Sequence, residues 1–381
     1  MKKFIIPLAV FSVFSTAQAA TKNGFDTEFY GFIKASSMYS SAALASYNNI
    51  NLSAPTHAVA QQGSTDKTGR MSFQSAQSRA GVNLKKGENL SAKLEFDFID
   101  FGKSSPTTQM NPRVRIASVT YAVDNHKFII GQDWDLFSPV TAFTFDYVGL
   151  YFHAGNVGFM RQQAQYLNTQ GKWEFGAALG MAGNNPGITD SDLEIGKAPT
   201  YSGRVSYALS SGRVGLSGIY TRLKYAANES HHESYGLNAF LENTFGETSI
   251  KSEAYYGQNL NNIGSLAIGK GNLTDDVKEF GGTVTGSYKI TAKNVPFAGV
   301  GLARIDNSKS LPAFNHPANA VIASPGIRSN FLTRIGWEYK VTDDFSWVSE
   351  ISRYETTSKL AANKNQTNIV GGLETGVQLR F

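Results

Sequence analysis

The segment LSAKLEFDF, residues 90–98, decides the fold. Apolar side chains occupy every second position, and polar or charged ones lie between them: Ser91, Lys93, Glu95 and Asp97. Successive side chains of a strand point to opposite faces, so this period of two predicts a strand with one apolar and one charged face. Such a strand suits a membrane β-barrel, where the apolar face meets lipid and the charges face the lumen.

The same alternation recurs along the chain. It is present in residues 201–209, 235–242 and 331–340, and the connectors between such segments are rich in Gly, Asn, Asp and Ser. One such strand would fit a soluble β-sandwich equally well. Repetition of this alternation in an exported chain favours a membrane barrel. The N-terminus therefore matters, because it indicates whether the chain is exported.

The N-terminus has the three parts of a secretory signal peptide. Lys2 and Lys3 precede an apolar run over residues 4–14, and small residues follow, with an Ala-x-Ala cleavage site after Ala19. A membrane anchor is the alternative, but the run is far shorter than the ~20 residues that a spanning helix needs. The sequence therefore predicts a signal peptide over residues 1–19 and an outer-membrane β-barrel domain over residues 20–381.

The composition supports this division and excludes other classes. The chain has no Cys and only 41% hydrophobic residues, but 37 Gly, 25 Phe and 17 Tyr. A barrel needs apolar residues on only one face of each strand, with aromatics at the membrane interfaces. The formal net charge of +5 is weak, and no basic run or nucleic-acid motif is present, so no nucleic-acid partner is expected.

The connectors alternate between short and long. Residues 85–89 and 124–126 exemplify the short turns, and residues 41–69 and 306–328 exemplify the long loops. Short periplasmic turns and long outer loops are typical of bacterial barrels, and the strands between them number about 16. A barrel of that size leaves an aqueous channel, whereas about eight strands would be filled by side chains.

The C-terminus carries a further motif. Val377, Leu379 and Phe381 alternate on one face of the last predicted strand, and Phe381 is the final residue. The pattern resembles the C-terminal signal that the barrel-insertion machinery of bacterial outer membranes reads. The alternative is simply a last strand with an apolar face.

Several segments in the first half of the mature chain resemble the DcaP-like family of dicarboxylate porins. They are GQDWDLFSP at residues 131–139, QSR at 77–79, EFDF at 95–98, RVRIA at 113–117 and RQQAQY at 161–166. The resemblance implies a third loop that folds inward, a homotrimer, and passage of small anionic solutes including dicarboxylates. No heptad segment precedes the first strand, so trimerisation cannot be argued from such a segment.

Charged residues on the lumen faces and in the third loop are the candidate pore-lining and constriction residues. They are Arg79, Arg115, Arg161, Arg204, Arg334, Glu95, Asp97, Asp133, Asp135 and Asp146. Guanidinium groups bind carboxylates well, and several in a narrow channel would concentrate anions. Arg115 is ambiguous, because it has the parity of apolar Val119 and Tyr121. The alternative is a solvated ladder, in which acids such as Glu174, Glu253 and Glu374 neutralise the arginines.

An enzymatic function is not expected. The six histidines fall in inferred connectors, where no Ser–His pair or metal site is evident: His57, His126, His153, His231, His232 and His316. No cofactor is predicted. We therefore expect a Gram-negative outer-membrane porin for passive diffusion of small hydrophilic solutes, with lipid, solutes and the insertion machinery as partners. The alternative is a structural or surface-recognition barrel whose long loops bind a partner.

Overall fold

The structure is a computed structural model. It describes residues 24–42, 69–99, 112–147, 151–181, 199–224, 231–269, 276–306, 326–359 and 365–381. The expected signal peptide, most of the loops at residues 41–69 and 306–328, and His57 and His316 lie outside these described residues.

Seventeen strands and one short 3-10 helix (Leu260–Ile263) make up the regular structure of the described residues. The strands are β1 Asp26–Ser40, β2 Arg70–Gln74, β3 Arg79–Lys86, β4 Leu90–Asp97, β5 Arg113–Val123, β6 His126–Trp134, β7 Met160–Gln170, β8 Trp173–Gly180, β9 Thr200–Ala208, β10 Gly212–Lys224, β11 His231–Phe245, β12 Thr248–Gln258, β13 Lys278–Tyr288, β14 Asn294–Ile305, β15 Ile327–Lys340, β16 Phe345–Lys359 and β17 Asn365–Arg380.

These strands close into one antiparallel barrel. Each strand pairs with its neighbours in the chain, and β1 closes the ring by pairing with β17. β2 and β3 occupy a single position, because β2 pairs with the second half of β1 and β3 with the first half. The barrel therefore has 16 strand positions, as predicted. A closed ring leaves no unpaired sheet edge, which membrane insertion requires.

The two faces of the barrel wall differ as the alternation predicts. In β4, Leu94 points outward, whereas the Glu95 and Asp97 side chains are buried on the inner side. Many outward side chains are large, apolar and more than half exposed, among them Ile130, Leu216, Leu237, Ile335 and Ile351. No helix among the described residues is long and apolar enough to span a membrane.

Three histidines that were predicted to lie in connectors lie in strands. His126 is the first residue of β6, and His231 and His232 begin β11. The turn before β6 is tight, because Asp124 adopts a left-handed conformation (φ 50°) that reverses the chain within two residues. The sequence pattern therefore assigned these positions to connectors that are longer than the real ones.

Candidate functional site in the barrel interior

The described parts of the third loop, residues 135–147 and 151–159, fold into the barrel as expected. Between β6 and β7, its side chains at Leu136, Phe137, Phe145 and Tyr151 are buried. Phe137, Phe145 and Tyr151 pack against inner-wall residues of the second half of the barrel, whereas Leu136 packs against β6, β7 and β8. An irregular segment can lie inside only if its backbone polar groups find partners, and the inner wall provides them.

Glu253 holds both ends of this loop to the wall. On β12, its carboxylate accepts hydrogen bonds from Ser138 Oγ (2.7 and 2.9 Å) and from the Asn156 amide. Because Ser138 leaves β6 and Asn156 returns toward β7, one buried carboxylate joins the departing and returning chain. The amide of Asn238 donates to the carbonyl of Phe137 (2.9 Å) nearby.

Arg334 and Glu350 hold the tip of the loop. Glu350 accepts hydrogen bonds from Thr144 Oγ1 (2.7 Å) and the Phe145 N–H (2.9 Å). Arg334, which is fully buried, lies 3.2 Å from Asp146 Oδ2 and 3.1 Å from Glu350 Oε1. The tip is therefore fixed to β15 and β16 by a charge network that water does not reach.

Lys34 extends this network to β1. Its Nζ lies 2.7 Å from the Glu374 carboxylate and donates to the Phe145 carbonyl and to Gln77. Gln77 in turn donates to Asp146 (2.8 Å). Glu374, one of the acids expected to neutralise arginines, thus pairs with a lysine and supports the loop tip.

The described parts of the sixth loop, residues 259–269 and 276–277, also enter the barrel, which the sequence did not predict. Its 3-10 helix, Leu260–Ile263, is completely buried. The Glu279 carboxylate on β13 accepts hydrogen bonds from the N–H groups of Ile268 and Gly269. Polar residues such as Asn259, Asn261 and Asn262 dominate this segment, so its composition resembles a solvated loop. The left-handed conformations of Asn259 and Gly264 are the local signal of its tight folding.

Arg161 lies between the two loops. Its guanidinium pairs with Asp135 (3.0 Å) and donates to the Ile263 carbonyl (2.8 Å). Asp135 lies at the start of the third loop, and Ile263 lies in the sixth. The two predicted residues Arg161 and Asp135 are thus brought together in a buried contact between the loops.

Three predicted residues of β4 and β5 form a charge ladder with Arg113. Arg115 pairs with Glu95 (2.8 Å) and with Asp97 (3.2 Å), and Arg113 pairs with Asp97 through two hydrogen bonds. The ambiguous parity of Arg115 is resolved by a bulge, since the register shifts between Glu95 and Phe96 opposite this residue. The bulge turns Arg115 to the inner side while Val119 and Tyr121 stay outside.

The remaining predicted residues, Arg79, Arg204 and Asp133, also lie on the inner side of the wall. Arg79 lies 4.0 Å from Glu95, and Arg204 pairs with Glu174 (2.8 Å). Asp133 accepts hydrogen bonds from Ser118 Oγ and from the Trp134 N–H, both 2.8 Å. A cavity of about 230 Å³ lies between the third loop and β6, β7, β9 and β10, and its lining includes Asp133 and Arg204.

At the C-terminus, the apolar side chains lie on the outer face. Phe381 is 58% exposed, and its backbone bonds to Gly31 in both directions, which joins the chain end to β1. Val377 and Leu379 have the same parity and are half-buried. Among the described residues, no cluster of His, Asp or Glu could hold a metal ion.

Several solved outer-membrane proteins have the same fold. The outer membrane channel DcaP of Acinetobacter baumannii matches 94% of this chain and 98% of its own, with a TM-score of 0.72 and 15% identity. An anion-selective porin from Comamonas acidovorans matches 94% and 100% (TM-score 0.58, 11% identity). The trimer form of OmpT, an outer membrane protein of Vibrio cholerae, matches 94% and 100% (TM-score 0.56, 14% identity). No protein-family model and no curated protein matches the sequence. The resemblance to DcaP-like porins is confirmed at the level of the fold.

Proposed function

We propose that the chain is a porin, a water-filled channel through which small hydrophilic solutes diffuse passively across the outer membrane. The observation that carries the proposal is a closed 16-position barrel with an apolar outer face, a polar inner wall and a loop folded across its lumen. A barrel of this size encloses more space than its own side chains fill. The solved structures of this fold are described as channels and porins, which supports the proposal.

Recording from a planar bilayer tests it. Purified, refolded protein should insert in discrete steps, each with a stable conductance. Folding should be checked independently by circular dichroism and by resistance to unfolding in detergent. A barrel that is folded and inserted but passes no current would contradict the proposal.

Within this function we propose a preference for anions such as dicarboxylates, in which Arg79 and Arg204, of the charged residues named above, face the water of the channel. Arg79 and Arg204 are inward arginines with some residual exposure, 21% and 10% of their side chains, and an exposed guanidinium can bind a passing carboxylate. The anion-selective porin from Comamonas acidovorans lends support through its fold alone. Glu95, Glu174 and Asp133 oppose the preference, so its expected size is modest.

The reversal potential in a salt gradient measures this preference. The wild type should favour anions, and the double variant Arg79→Ala, Arg204→Ala should shift toward cations. Arg304→Ala is the matched control, because Arg304 is exposed on the outer face of β14 next to outward Leu302 and should not alter selectivity. An equal reversal potential in the wild type and the double variant would contradict the proposal that Arg79 and Arg204 produce the preference for anions.

We also propose export through a cleaved signal peptide, recognition of Val377, Leu379 and Phe381 by the insertion machinery, and assembly as a homotrimer. The exposed apolar ring of Phe381 supports recognition, and the trimeric form of OmpT supports assembly. Replacement of Phe381 with Ser should lower the amount of folded protein in the outer membrane, while refolding in detergent should be unaffected. Native mass spectrometry of the extracted protein tests the trimer.

A further inference from the structure

The third and sixth loops bond to each other through their backbones. The His153 N–H donates to the Leu266 carbonyl (2.9 Å), and the Leu266 N–H donates to the Val157 carbonyl (3.2 Å). The returning half of the third loop, residues 151–159, is therefore paired with residues of the sixth loop rather than with the barrel wall alone.

Apolar side chains fill the contact between the loops. Phe137 and Val157 of the third loop share a buried cluster with Leu260 and Ile263 of the sixth. Leu266, which is completely buried, packs against Phe152 in a second cluster. Because removing a buried leucine side chain leaves a cavity and loses its packing, this contact contributes substantially to holding the loops together.

His153 lies at the centre of this contact. Its Nδ1 lies 3.1 Å from the Ala267 carbonyl, which can only accept, so Nδ1 carries the proton. Its Nε2 is buried and has no hydrogen-bond partner. Burial lowers the pKa of this imidazole to about 4, since a charged ring here would lose its hydration without gaining an acceptor.

The charged groups of the neighbouring elements have other partners. On β12, Glu253 bonds to Asn156, and on β13, Glu279 bonds to the sixth loop at Ile268 and Gly269. On β15, Arg334 pairs with Asp146 and Glu350. The Asn330 amide donates to the backbone carbonyl of His153 (2.8 Å) and not to its imidazole. None of these described groups accepts a hydrogen bond from the imidazole.

We infer that the sixth loop is a second constriction element, which holds the returning half of the third loop across the lumen and releases it in acid through protonation of His153. The inference rests on the proposed channel function, because it concerns the width and steadiness of that channel. On this inference, His153 and Leu266 are positioning residues. They affect the passage of solutes indirectly, because they fix the position of the third loop.

The direction of the pH effect follows from where the proton binds. In the packed loops the imidazole stays neutral down to about pH 4. In a released loop it would take up a proton near its ordinary pKa of about 6.5. Acid therefore favours release between these two values, by up to about tenfold per pH unit, and the contact is fully stable above this window.

Single-channel recording from pH 7.5 to 4.5 tests the inference. The wild type should be steady at pH 7.5 and should show growing current fluctuations below about pH 6.5. His153→Asn should remain steady throughout, because Asn tolerates the left-handed backbone (φ 59°) and has an amide for Ala267 but does not titrate in this range. His126→Asn, at the opposite, short-turn end of β6, is the matched control and should behave like the wild type. A wild type with no acid response, or a His153→Asn variant with the wild-type response, would overturn the inference.

Leu266→Ala tests the contact without a change in pH. The variant should show larger fluctuations at pH 7.5, because it loosens the cluster around Phe152. Unchanged current with lower thermal stability would mean that the sixth loop only fills space, and the inference would fall. The absence of any conductance in the wild type would instead contradict the proposed function, so the two failures are distinguishable.

Discussion

Two regions of the inner wall satisfy their buried charges in different ways. On β4 and β5, charges pair with one another along the wall, as Arg115 does with Glu95 and Asp97. From β12 to β16, charges bond to the third loop, as Glu253 and Glu350 do. The difference shows that a lumen charge can either remain part of the wall or position a loop inside the barrel.

The largest expected effect is at the loop-holding network. Arg334→Ala would remove the guanidinium that pairs with the buried carboxylates of Asp146 and Glu350. Breaking a buried pair in this way costs about 3–5 kcal/mol. We expect a corresponding loss in the free energy of unfolding, measured by urea titration of the protein in detergent or lipid. Arg353→Ala is the control, because this arginine is 55% exposed on the outer face of β16. Equal losses for the two variants would contradict the comparison.

A smaller effect is expected at Glu253. Its replacement by Ala removes the acceptor for Ser138 and Asn156, and leaving such buried donors unsatisfied costs about 1–3 kcal/mol. Because both ends of the third loop lose an anchor, conductance should also become noisier. Glu253→Gln keeps one acceptor oxygen and should fall between the wild type and the Ala variant. Stability and current noise that do not follow this order would show that the carboxylate does not hold the loop.

The smallest effect on stability is expected in the β4–β5 ladder. Arg113→Gln removes two hydrogen bonds to Asp97, but Arg115 still pairs with that carboxylate. Because the Arg113–Asp97 pair is partly exposed and Arg115 remains as a partner for Asp97, its loss should lower the free energy of unfolding by about 1 kcal/mol or less. The reversal potential should nevertheless shift toward cations, since a positive charge is lost from the wall. A loss of stability as large as that of Arg334→Ala would erase the distinction between the two regions.

The prediction of individual site residues succeeded where simple alternation holds. Arg334 lies between outward Thr333 and Ile335, and its inward position follows from parity alone. Arg115 is among the predicted lumen residues, but its parity alone is ambiguous, because a bulge adds a residue to one strand and reverses the parity beyond it. A bulge leaves no clear trace in the apolar and polar pattern.

The sixth loop was missed for a different reason. Its segment LNNIGSLAIG, residues 260–269, reads as a glycine-containing connector, because its apolar residues follow no strand alternation and are interrupted by Asn, Ser and Gly. It is buried because Glu279 on the next strand, Arg161 and the third loop provide partners for its backbone, and the last two come from distant parts of the chain. No local pattern contains that information.

By itself, the sequence determined the barrel, its approximate strand number and which face of most strands meets lipid. These properties follow from the period-two alternation, which depends only on neighbouring residues. Only the tertiary structure decided which lumen charges pair along the wall and which hold a loop, and that two loops meet inside at His153. The contacts that hold a loop join residues far apart in sequence, as Ser138 and Glu253 are, so they exist only once the barrel has closed and brought its walls together.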